Sequence, residues 1–270
     1  MPDFDTSVPN IARVYNYWLG GKDNFAADRE LGDRTIEAYP QIVLSVRANR
    51  AFLARTVRFL VRDQGIRQFL DIGTGIPTAN NTHQVAQHYA PDSRIVYVDN
   101  DPVVMLHARA LLKSTPEGKC GYIQADARDP AAILAEAAKT LDFSQPVAVM
   151  LIAVLHMIGD DAQASSIVRQ LMAACAPGSF LTISHPASDI DAEAADLARR
   201  FNESAGQVMT LRDHGRVTGL FEGLDLAEPG VVRVVHWRPD SEFEAASPDS
   251  LWGGVGRKTL LLGLPSGARR

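Results

Sequence analysis

This chain of 270 residues has only two cysteines and carries no excess of positive charge. The two cysteines, Cys120 and Cys175, have neither C-x-x-C spacing nor clustered histidines beside them. This argues against a disulfide scaffold and a structural zinc site, and it favours a reducing compartment. The 27 basic residues are outnumbered by 32 acidic ones, so a net charge of −5 gives no overall electrostatic footprint for nucleic acid. We therefore expect no structural metal and no nucleic-acid partner.

A long hydrophobic run is also missing, and we expect no secretory leader. The longest apolar run, residues 147–155, is about half the length needed to span a bilayer. The opening MPDFDTSVPN is acidic and polar, unlike a signal peptide. We expect a cytoplasmic protein without a membrane partner. The apolar content of 46% and charged content of 22% are typical of a globular chain, which at this length forms one large domain or one domain with an added cap.

The first 64 residues carry apolar side chains at helical spacing. The first helix is expected to begin near Pro9, with one of residues 5–7 as its N-cap, and to stop at the glycines of positions 20 and 21. Two further helices are predicted at residues 26–39 and 41–62. The arginines of the last one are expected to lie mostly on a solvated face; they are Arg47, Arg50, Arg55, Arg58 and Arg62. We expect residues 1–64 to form a helical cap or lid on a core of residues 65–270.

From residue 65 onward, short apolar runs alternate with helical segments. The predicted strands are residues 67–72, 94–98, 121–124, 147–154 and 179–184. The predicted helices are residues 82–89, 102–112, 130–139, 161–175, 192–205 and 213–221. This alternation predicts right-handed crossovers and a doubly wound parallel sheet, which is an α/β fold.

Two final strands are predicted at residues 231–237 and 256–262, with no helix between them. Strands joined in this way pair antiparallel, so we expect them at one edge of a seven-stranded sheet. An exposed edge on the seventh strand offers a surface on which a homodimer can pair.

The strongest functional signal is FLDIGTGIPT, residues 69–78, where a buried strand leads into Asp71, Gly73 and Gly75. In open α/β sheets, ligands bind beyond the carboxyl ends of the strands, where the strand order reverses, and glycine lets a ligand approach the backbone closely. A dinucleotide fingerprint needs a third glycine where Thr78 stands. The Asp71 carboxylate would repel a pyrophosphate but pair with an ammonium group. A nicotinamide-dependent oxidoreductase is therefore the weaker alternative.

Acidic residues also end the next two strands. Asp99, in VYVDND, is placed to accept hydrogen bonds from ribose hydroxyls, and Asp126, in QADARD, to reach an adenine amino group. The alternative for each carboxylate is that it caps the following helix. The segment AVLHMIGD follows the fourth strand. Taken in this order, the strand ends predict one nucleoside-containing ligand along a single rim.

These motifs resemble those of the class I S-adenosylmethionine-dependent methyltransferases. More narrowly, the chain resembles an actinobacterial family of them long described as a domain of unknown function. The narrow resemblance rests on the blocks ARVYNYWLGGKDNFAADRE, RANRAFL, FLDIGTGIPT, VYVDNDPVV, AVLHMIGD, APGSFLTISH and WGGVGRK. It implies a seven-stranded Rossmann-like fold with a reversed last strand, S-adenosylmethionine as the cofactor, and methyl transfer. It implies no particular acceptor.

The resemblance also assigns residues. Pro77 stands where many members of the superfamily have a third glycine. The predicted cofactor-binding residues are Asp71, Gly73, Thr74, Gly75, Asp99, Asn100, Asp101, Asp126, Ala127, Ala153, Gly21 and Lys22. The last two belong to the N-terminal block, which is expected to form part of a lid.

A catalytic base is needed only if the acceptor loses its proton late in the reaction. His156 is the first candidate because imidazole titrates near neutrality, and His185 is the second. Arg47 and Arg50 lie one helical turn apart, where they can pair with the cofactor carboxylate or with an acidic acceptor. The expected partner is a small-molecule methyl acceptor. A catalytically silent sensor or scaffold that binds the cofactor is the alternative.

Overall fold

The computed structural model describes residues 5–205 and 209–259. Its first three helices are α1 (Ile11–Trp18), α2 (Ala26–Ala38) and α3 (Ile42–Arg62). The predicted N-cap of α1 is wrong. Asn10 caps this helix by accepting the Ala12 N–H at 2.8 Å, whereas Asp5 bonds locally to Ser7. In the part of the chain that is described, no helix combines the length and apolarity needed to cross a membrane.

Five parallel strands form the body of the sheet, and α4 to α7 connect them. The strands are β1 (Gln68–Ile72), β2 (Arg94–Asp99), β3 (Lys119–Gln124), β4 (Ala148–Ile152) and β5 (Phe180–Pro186). The helices are α4 (Thr82–Tyr89), α5 (Pro102–Leu111), α6 (Pro130–Ala137) and α7 (Asp161–Ala174). The spatial order β3-β2-β1-β4-β5 reverses between β1 and β4. The predicted doubly wound sheet is confirmed.

The remaining elements follow β5 in the chain, and their strands extend the sheet beyond β5. They are α8 (Ala192–Ala205), α9 (His214–Gly219), β6 (Asp225–Leu226), β7 (Val232–Arg233), α10 (Glu242–Ala245) and β8 (Leu251–Arg257). β8 runs antiparallel to β5, with Leu251 opposite Pro186. The reversed last strand is therefore confirmed. β6 and β7 pair with the other side of β8, so the last strand is not the exposed edge that was expected. The predicted bounds of this strand, residues 256–262, are wrong, because β8 begins at Leu251 and ends at Arg257; residues 260–262 lie outside the described residues.

The predicted strand at residues 231–237 is also wrong. Only Val232–Arg233 pairs with β8, and Val234–His236 turns into a short 3₁₀ helix. Arg55 of α3 holds this turn, because its guanidinium donates to the carbonyl oxygens of Val234 (2.6 Å) and Trp237 (3.0 Å). The Val234 carbonyl oxygen also accepts the Trp237 N–H at 3.4 Å, so its hydrogen bonds are made within the turn and to α3. Arg55 is buried, contrary to the expectation of a solvated arginine face.

The hydrophobic core lies on both faces of the sheet. α3 packs on one face, where Phe52, Val57 and Leu60 are fully buried in a cluster that also contains β1 and β2 side chains. On the other face, Ile133 of α6 and Leu171 of α7 pack against apolar strand residues. β1 and β4 are covered on both faces, so β4 consists of apolar residues only, and β1 is apolar except for Gln68 and Asp71. The division of the chain at residue 64 stays a prediction. Buried side chains of α3 belong to the same core cluster as side chains of the strands.

Candidate functional site

A cavity of about 350 Å³ opens at the carboxyl edge of the parallel strands. It lies where the order reverses between β1 and β4, which is where open α/β sheets bind ligands. Its volume falls within the 300–1,000 Å³ range of small-molecule sites. Its walls come from the ends of β1 to β5, from the start of β8, and from α1, α2, α3 and α8.

The glycine-rich loop after β1 forms the floor of this cavity. Gly73 (φ 72°) and Gly75 (φ 65°) are both left-handed, a conformation that favours glycine. A Cβ atom at Gly73 would lie 2.4 Å from the Val154 side chain, so the loop and the segment after β4 touch only because that atom is missing. A Cβ atom at Gly75 would meet nothing within 4 Å. The backbone at Gly75 is therefore open to close approach by a ligand.

Asp71 is a buried carboxyl group at the end of β1. Thr82, the first residue of α4, donates its hydroxyl to Asp71 Oδ2 at 2.6 Å. Burial raises the pKa of Asp71 to about 6, although the Thr82 hydrogen bond and the positive charge of Arg50 oppose the shift. Asp71 does not cap α4, because Asn81 holds the N-cap position. The capping interpretation of Asp71 is therefore wrong, and its role toward a ligand stays a prediction.

Asp99 at the end of β2 is held by two backbone donors. Its Oδ2 accepts the Gly75 N–H at 2.9 Å, and its Oδ1 accepts the Asp101 N–H at 3.0 Å. Burial raises the pKa of Asp99, and these hydrogen bonds partly offset that effect. The capping role belongs to Asp101, which accepts the Val103 N–H at 2.7 Å. Asp99 thus fixes the glycine loop while it lines the cavity.

Asp126 follows β3 and also lines the cavity. It does not cap α6, because Asp129 does so by accepting the Ala132 N–H at 3.0 Å. Arg128 pairs with Asp126 at 3.1 Å and donates to the carbonyl oxygen of Met157 at 2.7 Å. This arginine joins the segment after β3 to the segment after β4. It was missed in the sequence, although it stands inside the QADARD block.

All the predicted cofactor residues except two line the cavity. Those brought together there are Asp71, Gly73, Thr74, Gly75, Asp99, Asn100, Asp101, Asp126, Ala127 and Ala153. Gly21 and Lys22 are not among the described lining residues. Gly21 packs against the side chain of Asn16, Asn24 donates to its carbonyl at 3.0 Å, and Lys22 is exposed. Gly21 thus contacts other residues of the N-terminal block, Asn16 and Asn24.

A hydrogen-bond network fixes the backbone at the end of β4. Ala153 has φ 50°, a strained conformation for a residue with a Cβ. Its N–H donates to Ser184 Oγ at 3.0 Å, and that hydroxyl donates to Asn49 Oδ1 at 2.6 Å. The Asn49 amide in turn donates to the Tyr15 hydroxyl at 3.0 Å. α1, α3 and β5 therefore hold the turn at Ala153, an arrangement that no sequence pattern indicated.

His156 lines the cavity just beyond this turn. Burial, together with the charge of Arg212, lowers the pKa of His156 to about 4, so the ring is neutral at pH 7. Its Nδ1 is buried and has no hydrogen-bond partner among the described residues. Across that part of the chain, no three His, Cys, Asp or Glu side chains are grouped to hold a metal ion. His156 is therefore a neutral side chain with an unused ring nitrogen, and the expectation that its imidazole titrates near neutrality is wrong.

His185 has both ring nitrogens engaged. Its Nδ1 donates to the Pro186 carbonyl oxygen at 2.9 Å, and its Nε2 accepts from Arg212 at 2.7 Å. Burial, with His156 beside it, lowers the pKa of His185 to about 3. It is also outside the cavity lining. These contacts remove His185 as a candidate base and make it a structural residue.

Arg212 is a buried clamp on the turn that carries His156. Only 1% of its surface is exposed, and it donates to the carbonyl oxygens of Leu155 (3.0 Å) and Ile158 (2.8 Å). It also pairs with Asp161 at 2.8 Å. Nothing in the sequence around residue 212 identified this role, because its partners lie about 50 positions earlier in the chain.

Of the two arginines predicted to meet the ligand, Arg50 lines the cavity and Arg47 does not. Arg50 donates to the carbonyl oxygens of Ala79 and Asn80, both at 3.1 Å. Its Nε is buried without a hydrogen-bond partner among the described residues. Arg47 is exposed on the same helix. A cationic donor with unused capacity therefore stands close to Asp71.

A family model described as S-adenosyl methyltransferase matches residues 1–259. The chain belongs to this family. It is 43% identical to a DUF574 family protein from Streptomyces avermitilis, over 94% of this chain and 99% of that one, with a TM-score of 0.90. A Thermobifida fusca protein described as a candidate methyltransferase is 41% identical, over 96% of this chain and 98% of that one, with a TM-score of 0.88.

More distant proteins share the fold alone. Human N-acetylserotonin methyltransferase is 15% identical, over 94% of this chain and 63% of that one, with a TM-score of 0.50. No curated protein matches the sequence. Family membership confirms S-adenosylmethionine as the cofactor and decides against the nicotinamide-dependent oxidoreductase.

Replacement of Arg212 tests the clamp. In Arg212→Ala the buried carbonyls of Leu155 and Ile158 lose their donor, so we expect the free energy of unfolding to fall by about 3–5 kcal/mol in urea denaturation. Arg216→Ala is the matched control, because Arg216 pairs with the same Asp161 but its side chain is 43% exposed. That control is expected to cost about 0–1 kcal/mol. Equal losses in the two variants would contradict the clamp.

Proposed function

We propose that this protein transfers the methyl group of S-adenosylmethionine to a small-molecule acceptor. The observation that carries the proposal is the presence of Asp71, Asp99 and Asp126 in one cavity, each at the carboxyl end of a neighbouring strand. Such a row of acceptors suits a ligand with an ammonium group, a ribose and an amino-substituted base, in that order.

The cavity has a chemically matched group for each part of this cofactor. In our assignment Asp71 pairs with the ammonium group and Arg50 Nε, buried without a partner among the described residues, takes the carboxylate. Asp99 receives the ribose hydroxyls. Asn100, Asp101, Asp126 and Ala127 surround the adenine, and Gly73, Thr74 and Gly75 provide the backbone against which the amino-acid part lies. The open space at Gly75, which a Cβ atom would fill, supports this fit.

The bound cofactor supplies an activated methyl group on a sulfonium. The protein then has to orient the acceptor and exclude water. In our proposal the turn at Ala153, held by Ser184 and Asn49, fixes the wall beside the sulfonium. His156 is neutral at pH 7, so a ring nitrogen can accept a hydrogen bond, and later a proton, from the acceptor. Helices α1 to α3 cover this end of the cavity.

Loss of the Asp99 carboxylate tests the assignment of the ribose. We expect Asp99→Ala to weaken S-adenosylmethionine binding by about 1.5–3 kcal/mol, a Kd increase of roughly 10- to 150-fold, because charged hydrogen bonds are lost. Titration calorimetry measures the change. Asp92→Ala, an exposed carboxylate outside the cavity, is the control and should leave Kd unchanged. An unaltered Kd in a folded Asp99→Ala protein would show that the ribose is misplaced.

The pH dependence of cofactor binding tests Asp71. Its pKa of about 6 means that the free protein holds a proton there below pH 6, and this proton must leave before the carboxylate can pair with an ammonium group. Affinity should therefore fall by up to about tenfold per pH unit below pH 6 and level off above it. In Asp71→Asn, binding should be weaker and the profile flatter between pH 5 and 7. A variant profile as steep as that of the unchanged protein would exclude Asp71 as the titrating group.

Turnover distinguishes the methyltransferase from a silent cofactor-binding sensor. With methyl-labelled cofactor and a panel of small hydroxyl, amine and thiol acceptors, we expect label transfer to at least one acceptor. His156→Gln should lower kcat about 100-fold or more while Kd for the cofactor stays within about twofold, because loss of a general base slows the transfer step. Tight cofactor binding without transfer to any acceptor would instead favour the sensor.

A further inference from the structure

The cavity has two ends with different chemistry. Along the rim, the order β3-β2-β1-β4-β5-β8 places the three aspartates at one end and Leu251, the first residue of β8, at the other. Three strand spacings separate β1 from β8, a distance of roughly 14 Å. We call the part of the cavity beyond β4, on the side of β5 and β8, the acceptor chamber. Its walls include Tyr15, Trp18, Tyr39, Ser45, Leu197 and Ser250.

Charged side chains line only the cofactor end among the described residues. The carboxylates lie after β1, β2 and β3, and the two arginines in the lining, Arg50 and Arg128, bond to the loops after β1 and β4. The chamber walls from α1, α2, α8 and β8 contribute apolar, aromatic, hydroxyl and amide side chains. Burial of an ionised group against such walls is costly, because no opposite charge compensates for the lost hydration.

Most polar side chains of the chamber already have partners within the protein. The Trp18 indole donates to the Gly32 carbonyl oxygen at 3.3 Å, and the Thr35 hydroxyl donates to the Leu31 carbonyl oxygen at 2.9 Å. The Tyr39 hydroxyl donates to Asp191 Oδ2 at 2.9 Å. Their donor hydrogens are therefore committed, and these side chains offer mainly carbon surface to a ligand.

Ser45 and Ser250 have hydrogen-bonding capacity left over. Their hydroxyl oxygens are 3.2 Å apart, and both side chains are buried. Each hydroxyl has one donor and two acceptor sites, and their mutual bond uses one donor and one acceptor. The remaining hydrogen is directed to the Tyr39 phenol beside them, so the sites left for a ligand are acceptor lone pairs. This pair is a neutral polar point in an otherwise apolar wall.

We propose that the acceptor chamber selects an uncharged, largely apolar molecule that carries a neutral hydroxyl group, and that Ser45 and Ser250 hold this hydroxyl. The inference rests on the proposed function, since it names the acceptor class of the same site. Ser250 precedes Leu251, which pairs with Pro186 at the end of β5. The hydroxyl bound there therefore anchors the acceptor at a distance from the methylated atom, which lies nearer β4.

Binding of four matched probes to the full chain, saturated with S-adenosylhomocysteine, tests this selection. The probes are 2-naphthol, 2-methylnaphthalene, 2-naphthoate and 2-(aminomethyl)naphthalene, and titration calorimetry measures each Kd. We expect 2-naphthol to bind at least ~10-fold more tightly than either charged probe, because an uncompensated charge is excluded. In Ser45→Ala/Ser250→Ala, 2-naphthol should bind ~3- to ~10-fold more weakly, and 2-methylnaphthalene should be unaffected. Ser144→Ala, on an exposed loop, is the control.

The outcomes separate this inference from the proposed function. Binding of S-adenosylhomocysteine is measured first on the unchanged protein and on every variant. If the unchanged protein does not bind S-adenosylhomocysteine, the proposed function is overturned. If S-adenosylhomocysteine binds but a charged probe binds as tightly as 2-naphthol or more tightly, the proposed acceptor class is wrong. If none of the four probes binds the loaded protein, it is wrong as well. Single variants Ser45→Ala and Ser250→Ala provide the same readout if the double variant does not fold.

Discussion

The site depends on the close contact between Gly73, after β1, and Val154, after β4. The strand order reverses between these two strands, so their connections leave the sheet in different directions and a crevice opens between them. A Cβ atom at Gly73 would overlap the valine at 2.4 Å, so any other residue would push the two strand ends apart. The width of the crevice, and with it the spacing of Asp71 from the turn at Ala153, is therefore set by one absent carbon atom.

The N-terminal helices are part of this architecture as much as a cover for it. Phe52 and Leu60 of α3 lie in the same core as the strands, while Asn49, on the same helix, reaches the Ala153 turn through Ser184. One helix thus supports the sheet through its apolar side chains and the turn at Ala153 through Asn49. The family model likewise includes the N-terminal helices, because it matches residues 1–259.

Much of the fold was predictable because its signals are local. The continuous apolar run of β4 and the prolines that open α5 and α6 identify those elements. Asp71, Asp99 and Asp126 were found because each is an acidic residue at or just after the end of a predicted strand. The failures involve distant partners. VVRVVHW has the composition of a strand, but its second half forms a 3₁₀ turn whose carbonyl oxygens bond to Arg55, far away in the chain. The Ser45–Ser250 pair and the partners of Arg212 are likewise fixed by the tertiary fold, and local patterns do not reveal them.

The two backbone donors that hold Asp99 have a consequence for the thermodynamics of recognition. Gly75 and Asp101 fix both carboxylate oxygens when the chain folds, so the side chain has lost its rotational freedom before any ligand arrives. A ligand that meets this carboxylate does not have to immobilise it, and the conformational entropy cost of association is correspondingly smaller. The glycine loop is ordered by the same bonds. Part of the cost of molecular recognition is thus met during folding, and the crevice is rigid on the side that carries Asp99.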